Sequence, residues 1–392
     1  MATAWTNWSG SVRCRAHELA TPEGEAGLAT IVERAAREGR RIRAVGSGHS
    51  FVPLVSTDGI IVSLDRLAGI LSHDRETLSA SVRAGTKLHD LGEPLLARGL
   101  AMENLGDIDV QSLGGALSTG THGTGRTLGN LASRVAALRL VLASGEILEI
   151  DSDHDPETLR AARVSLGALG IVTTARLRLL PAYRLHERTW RAPLAEILEK
   201  LDSLILENRH FEFFYFPKAD FAEAKAINLT EEEPETVAGR KHERIDWSSR
   251  ILPSVREERF NEMEYSLPAA SGPACLRAAV ERVRSRHPDV AWPLEYRTVA
   301  ADDAWLSPAH GRATVTISVH QHGEEPYREF FADLEPILLE PGGRPHWGKF
   351  HTQSAATLAG RYPEWESFQA VQRRLDPGGL FLNEHLATLL GR

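Results

Sequence analysis

The chain has 392 residues, more than one hydrophobic core usually supports, so two domains are expected. With 42% hydrophobic and 25% charged residues it has ordinary globular composition, which excludes a disordered chain. A net charge of −8 and a pI near 6.1 argue against a nucleic-acid binder, which needs a basic face for the phosphates.

The N-terminal segment through Trp8 has neither the basic start nor the apolar run of a signal peptide. Cys14 and Cys275 are too few for a disulfide framework or a four-ligand zinc site, which fits a reducing cytoplasm. Apolar spacing predicts a helix over 27–37 and a strand over 41–45 that ends in a glycine break. The run Arg40-Arg41-Ile42-Arg43 either sits at a solvated helix end or faces an anionic cofactor. Further strands are predicted at 59–64 and 78–84, with a helix over 89–98. Segments 135–142 and 146–150 flank Ser144-Gly145 as a hairpin, and 170–177 reads as a strand with one wet face.

Composition changes after Pro181: glycine thins out and aromatics gather over 210–217. The charge-rich stretch 219–262 is expected to hold surface loops or helices. Strands return at 294–299 and 313–320, with alternate residues on opposite faces. A turn at 376–379 leads into an apolar tail, and no apolar run approaches the ~20 residues of a membrane helix. The fold class is α+β, in two domains.

Two glycine-rich segments carry most of the chemistry. Val45-Gly46-Ser47-Gly48-His49-Ser50-Phe51 begins like a dinucleotide fingerprint, but Phe51 stands where the third glycine belongs and Pro53 follows. What remains is a tight turn after a strand with backbone N–H groups free for an anion. The second segment runs from Ser112 through Gly115, Ser118, Thr119, Gly120, His122 and Gly123 to Gly125. Its small residues admit a ligand close to the backbone, and its hydroxyls can donate to phosphate oxygens. Together the two loops favour a diphosphate-containing cofactor.

Glu295 and Arg297 are two apart on a strand, so both project to one face; the plain reading is a surface ion pair. The segment 343–349 superficially resembles a P-loop ending in Lys349, but Phe350 replaces the required Ser/Thr. His320-Gln321-His322 hints at a metal pair, yet no neighbouring carboxylate completes a ligand set, and no metal is expected. No Gly-x-Ser-x-Gly elbow occurs, which removes the commonest hydrolase signal.

The ordered set Gly48-His49-Ser50, Leu105-Gly106-Asp107-Ile108, Ser118 to Gly123, His346-Trp347-Gly348-Lys349 and Phe381-Leu382-Asn383 resembles the aldonolactone oxidase and alditol oxidase group of the vanillyl-alcohol oxidase superfamily. The resemblance implies an FAD-binding domain over 1–182 with two α/β subdomains. A cap domain on an antiparallel sheet follows over 183–349, and a segment over 350–392 returns to the FAD domain. It implies that His49 bonds covalently to the flavin; a neutral imidazole is a good nucleophile near pH 7. The implied FAD contacts are Gly46, Ser47, Gly48, His49, Ser50, Gly106, Asp107, Ser112, Gly115, Ser118, Thr119, Gly120, His122, Gly123, Gly170, Val172 and Asn383.

The family also carries Glu-x-Arg ahead of a Thr-Val-Ala-Ala-Asp stretch, found here at Thr298 to Asp302. It places Glu295, Arg297 and Lys349 at the substrate, with His320 lining the same pocket. The implied reaction is hydride transfer from a carbinol carbon of a sugar 1,4-lactone to the flavin, with O2 reoxidising it to give H2O2. Gly106 is expected to leave oxygen a path. Asp107 departs from the serine of alditol oxidases, which favours a lactone over an alditol such as xylitol or sorbitol. A dehydrogenase using another acceptor is the further alternative. A cytoplasmic monomer is expected, with no nucleic-acid partner and no membrane span.

Overall fold

In the computed structural model, which describes residues 2–392, the helix Glu25–Arg37 buries Leu28, Val32 and Ala35 along one stripe, as its apolar spacing requires. It leads into Ile42–Val45, which pairs in parallel with Ile60–Ser63; that strand also takes Glu18–Ala20 on its other side. A second sheet of five strands runs Ile147–Asp151, Val135–Val141, Ile171–Arg178, Ser79–Arg83 and Ile70–Asp74. The expected hairpin is present, with Ile147 opposite Val141 and Gly145 at φ 86 in the turn, where an L side chain would be strained. Ile171–Arg178 differs from expectation. It is central in its sheet with both faces covered, so only Arg176 and Arg178 remain exposed.

From residue 184 the chain builds an eight-stranded antiparallel sheet. Its order is Glu243–Trp247, Arg184–Ala192, Phe221–Thr230, His210–Phe216, Leu294–Val299, Thr314–His322, Phe260–Pro268 and Arg344–Pro345. The stretch 219–262, expected as loops or helices, therefore supplies two full strands and the start of a third. Alanine is a poor strand former, but Ala222, Ala224 and Ala226 alternate with Glu223 and Lys225 and bury against a core where only small side chains fit.

Strict period-two alternation divides this sheet into two unlike faces. Phe211, Phe213, Tyr215, Met263, Tyr265, Leu294, Tyr296, Val315, Ile317 and Val319 pack into an apolar core under the helices Gly272–Arg286 and Arg328–Leu339. The intervening residues Glu212, Lys225, Glu262, Glu264, Glu295, Arg297, Ser318 and His320 form the other face. It is equally withdrawn from solvent: Glu264 is 0% exposed and Glu295 3%. A polar sheet face of this kind is costly to bury unless every charge is matched.

The last segment returns to the first core, where Phe368, Phe381, Leu382, Leu386, Leu389 and Leu390 are buried. Arg43 fastens it. Its guanidinium donates to the carbonyls of Leu54 (2.7 Å), Leu166 (2.6 Å), Gly167 (3.0 Å) and Phe381 (2.5 Å). No helix among the described residues is long and apolar enough to cross a membrane.

Candidate active site

The turn after Ile42–Val45 meets the second glycine-rich loop directly. A Cβ on Gly46 would lie 1.8 Å from the Ser112 hydroxyl oxygen, so only glycine lets the two loops touch. Gly48 takes φ 69, and His49 then stacks on Trp8 with ring centroids 4.8 Å apart. Phe51 N–H donates to Gly348 O at 2.7 Å, tying this turn to the segment that carries Lys349. Burial, then Lys349 and Lys87, push the His49 imidazole down to about 4, so it is neutral and keeps a free lone pair at neutral pH.

Two cavities open on either side of His49. The first encloses about 970 Å3, part of it open solvent, and is walled by Gly46 to Ser50, Ser112, Gly115, Ser118, Thr119, Gly170 and Val172. The second, about 1440 Å3 on the same measure, is lined by Gly106, Asp107, His122, Glu262, Glu264, Glu295, Arg297, His320 and Lys349. They share His49, Ser50, Gln111 and Thr119, and the buried Oε1 of Gln111 has no partner. A backbone-walled cleft running into a broader polar chamber fits an elongated dinucleotide such as FAD.

Three expected cofactor contacts do not line either cavity. Gly120 terminates the helix Leu113–Thr119 at φ 73 in the left-handed region. Gly123 is required by close packing, since a Cβ there would lie 2.1 Å from Leu105 O. Asn383 caps the helix Glu384–Leu390 and donates to the carbonyls of Pro53 (2.7 Å) and Ser56 (2.8 Å). Arg43 is the one member of the basic run that lines the first cavity, and its donors are committed to carbonyls.

The buried charges of the second cavity are set in opposing pairs. Lys349 Nζ is bonded to Glu262 and lies 5.3 Å from the centre of the Phe51 ring. Burial alone would raise the Glu262 pKa, but Lys349 and His320 outweigh it and hold the carboxyl below its ordinary range. Arg297 donates to Glu264 at 2.8 Å; its Nε lies 3.2 Å from Glu295 Oε1 without hydrogen-bond geometry. Burial drives Glu295 well above the carboxylate range despite Arg297, helped by Asp107, Glu212 and Glu262.

Asp107 behaves oppositely. Burial would raise it, but Lys225, Arg256 and Arg297 dominate and hold it far below its ordinary value. His320 Nδ1 faces the carbonyl of Pro293 at 3.0 Å. A carbonyl only accepts, so Nδ1 carries the proton and Nε2 the lone pair, 3.6 Å from Glu262. Burial lowers the His320 pKa and keeps this tautomer neutral.

Glu295, Arg297, Lys349 and His320 therefore converge on one cavity. Asp107 lies there too, in a charged cluster with Arg256 (2.6 Å) and Lys225 (3.5 Å). Sequence reasoning missed Glu262, Glu264, Glu212, Lys225 and Arg256. The signal for the first two was present as Glu262-Met263-Glu264-Tyr265, in which the carboxylates share a face and the apolar pair takes the other. The carboxylates lacking near His320 in sequence are supplied in space by Glu262 and Glu295. A cation already sits beside each of them, Lys349 and Arg297 respectively.

The chain matches the model of the D-arabinono-1,4-lactone oxidase family over residues 175–245 and 235–389, and that of an FAD-binding domain over 16–151. It is 39% identical to an L-gulono-1,4-lactone dehydrogenase of Mycobacterium tuberculosis across the whole of both chains. It is 33% identical to an alditol oxidase of a Streptomyces species, again over all of both. To an L-gulonolactone oxidase of Scyliorhinus torazame the identity is 31%, covering 98% of each chain. The structure of cholesterol oxidase from B. sterolicum superposes with a TM-score of 0.86 at 16% identity, covering 100% of this chain and 97% of that one, a likeness of fold. The chain belongs to the D-arabinono-1,4-lactone oxidase family, within the aldonolactone and alditol oxidase group of vanillyl-alcohol oxidase-type flavoenzymes, and is an FAD-dependent oxidoreductase acting on CH–OH groups.

Proposed function

We propose that the protein oxidises a sugar 1,4-lactone at C2, giving a ketolactone that tautomerises to an ene-diol, with O2 as the final acceptor. The observation that carries this reading is the convergence of Glu295, Arg297, Lys349 and His320 on the cavity that joins the glycine-walled cleft at His49. FAD, when bound, supplies the hydride acceptor. Lys349 and Arg297 bind the reacting hydroxyl and stabilise negative charge as it develops on that oxygen. His320 Nε2, neutral and unprotonated, takes the hydroxyl proton. Glu262 fixes the Lys349 ammonium, and Glu295 with Asp107 reads the remaining oxygens of the ring and tail.

His49 is assigned as the site of covalent attachment, which its neutral imidazole at the junction of the two cavities supports. The division 1–182, 183–349 and 350–392 goes with this reading, as do a cytoplasmic location and a monomeric state; both cysteines are unpaired. Gly106 is assigned as the point of oxygen access because it lines the second cavity without a side chain.

Two other readings have observations behind them. The M. tuberculosis relative is named a dehydrogenase, which favours an acceptor other than O2, and the Streptomyces relative is named an alditol oxidase. One screen separates all three: flavin reduction, oxygen uptake and peroxide with L-gulono-, L-galactono- and D-arabinono-1,4-lactone, xylitol and sorbitol. Peroxide with a lactone supports the proposal. Reduction without oxygen uptake selects the dehydrogenase, and turnover of polyols alone selects the alditol oxidase. No flavin reduction with any of them refutes all three readings.

A further inference from the structure

We propose that Glu264 is a positioning residue: it claims the guanidinium of Arg297 and thereby leaves Glu295 facing the substrate as an uncharged hydrogen-bond donor. The proposal rests on the assignment of Glu295 and Arg297 to the substrate cavity made above. Glu264 sits mid-strand in Phe260–Pro268 and is fully buried. Its Oε2 accepts from Arg297 Nη2 and from Ser318 Oγ, each at 2.8 Å, while its Oε1 lies 2.7 Å from His122 Nε2. Two strands and a loop thus converge on one carboxylate, and Arg297 is turned toward it.

The consequence falls on Glu295. Arg297 is its same-face neighbour, yet the Nε–Oε1 approach of 3.2 Å lacks hydrogen-bond geometry, and both atoms are buried without a hydrogen-bond partner. Glu212 faces Glu295 from the adjacent strand, with Lys225 on the strand beyond it, Asp107 from the FAD domain and Arg256 from the loop above. Glu262, paired to Lys349, and His320 face it from the opposite side. Lys225 and Arg256 are themselves engaged by Glu212 and Asp107, and Lys349 by Glu262. The cation against Glu295 is Arg297, whose guanidinium donates to Glu264 rather than to Glu295, which agrees with the upward displacement of the Glu295 pKa by burial. A protonated carboxyl donates to a lactone or hydroxyl oxygen, whereas a carboxylate only accepts.

Glu264→Gln keeps the shape but removes the charge that holds Arg297. The guanidinium is then free to turn to Glu295, and one repelling carboxylate is gone; both changes favour ionised Glu295. The readout is the infrared C=O stretch of a protonated carboxylic acid in the FAD-loaded protein, assigned by its loss in Glu295→Gln. The native band is expected to persist at neutral pH, and in Glu264→Gln its titration midpoint should fall by about one to three pH units. Glu264→Asp, which retains the charge but withdraws it by one methylene, should move the midpoint the same way by less, and serves if the glutamine variant does not fold. An unchanged midpoint in the folded variants, or no assignable band in the native protein at neutral pH, overturns the proposal. The measurement needs no substrate. A protein that shows the shift but oxidises no lactone or polyol would instead refute the functional reading alone.

Discussion

Replacing Arg43 with methionine keeps an unbranched apolar stem in place of the aliphatic part of the side chain and deletes every donor. In the native protein those donors join the loop after His49 (Leu54 O), the Leu166-Gly167 turn and the C-terminal segment (Phe381 O). Leu54 O has a second donor in Asn383 at 3.3 Å, so the other three carbonyls lose their side-chain donor. Leaving a buried acceptor unsatisfied costs about 1–3 kcal/mol, and removal of a guanidinium whose burial already pulls its pKa down to about 10 returns part of that. The net loss is about 3–6 kcal/mol, a large share of the ~5–15 kcal/mol by which domains of this kind are stable. Urea unfolding followed by tryptophan fluorescence measures it, and flavin content of the purified variant shows whether the first cavity still forms. A loss below about 1 kcal/mol with full flavin content would refute the view of Arg43 as the clasp of the cofactor cleft.

Three further outcomes follow from the site. Acid-precipitated native protein should stay yellow and His49→Ala should release its colour; a white native pellet removes the covalent bond. Lys349→Ala should retain FAD but slow flavin reduction by about 10²–10³-fold, as loss of a charge-stabilising donor does; unchanged reduction removes Lys349 from the catalytic set. His320 must be unprotonated to act, and burial holds its pKa below the ordinary 6.5, so native reduction should be flat at neutral pH and fall only at pH below that lowered value. His320→Gln should lose about 10²–10⁴-fold and abolish that acid limb, which rapid-mixing reduction across pH would detect; a limb that survives in the variant belongs to another group.

Much of the first domain can be read from the chain because its signals are local. Apolar spacing over 27–37 and the Ser144-Gly145 hairpin each specify their element within a few residues. The second domain resisted for a physical reason. In Phe221 to Ile227 the inward residues are alanines and the outward ones charged, which looks like a solvated helix unless the partner strands are known. The same limit hid part of the site. Glu295 and Arg297 looked like a surface ion pair because no local signal says that the polar face of this sheet is buried by another domain. Arg256 and Lys225 reach Asp107 only through tertiary contacts, from 149 residues away in the case of Arg256.

The glycine loop at 118–125 shows why the two domains must act as one. Ser118 and Thr119 wall the cofactor cleft, but the next few residues turn away and bond to the cap sheet. Thr124 Oγ1 donates to Phe211 O at 2.6 Å, His210 Nδ1 lies 2.9 Å from Thr124 O, and Gly125 N–H donates to Thr298 O at 2.8 Å. Within the same stretch His122 meets Glu264. Gly125 is thus glycine for the sake of the domain junction rather than the cofactor: a Cβ there would lie 2.8 Å from Arg209 O, against a backbone that cannot yield. Thr298 lies one residue beyond Arg297, so the backbone bond to the glycine loop also fixes the strand that carries Glu295 and Arg297. The register between the glycine loop and the cap sheet is set by one main-chain bond together with the side chains of Thr124, His210 and His122.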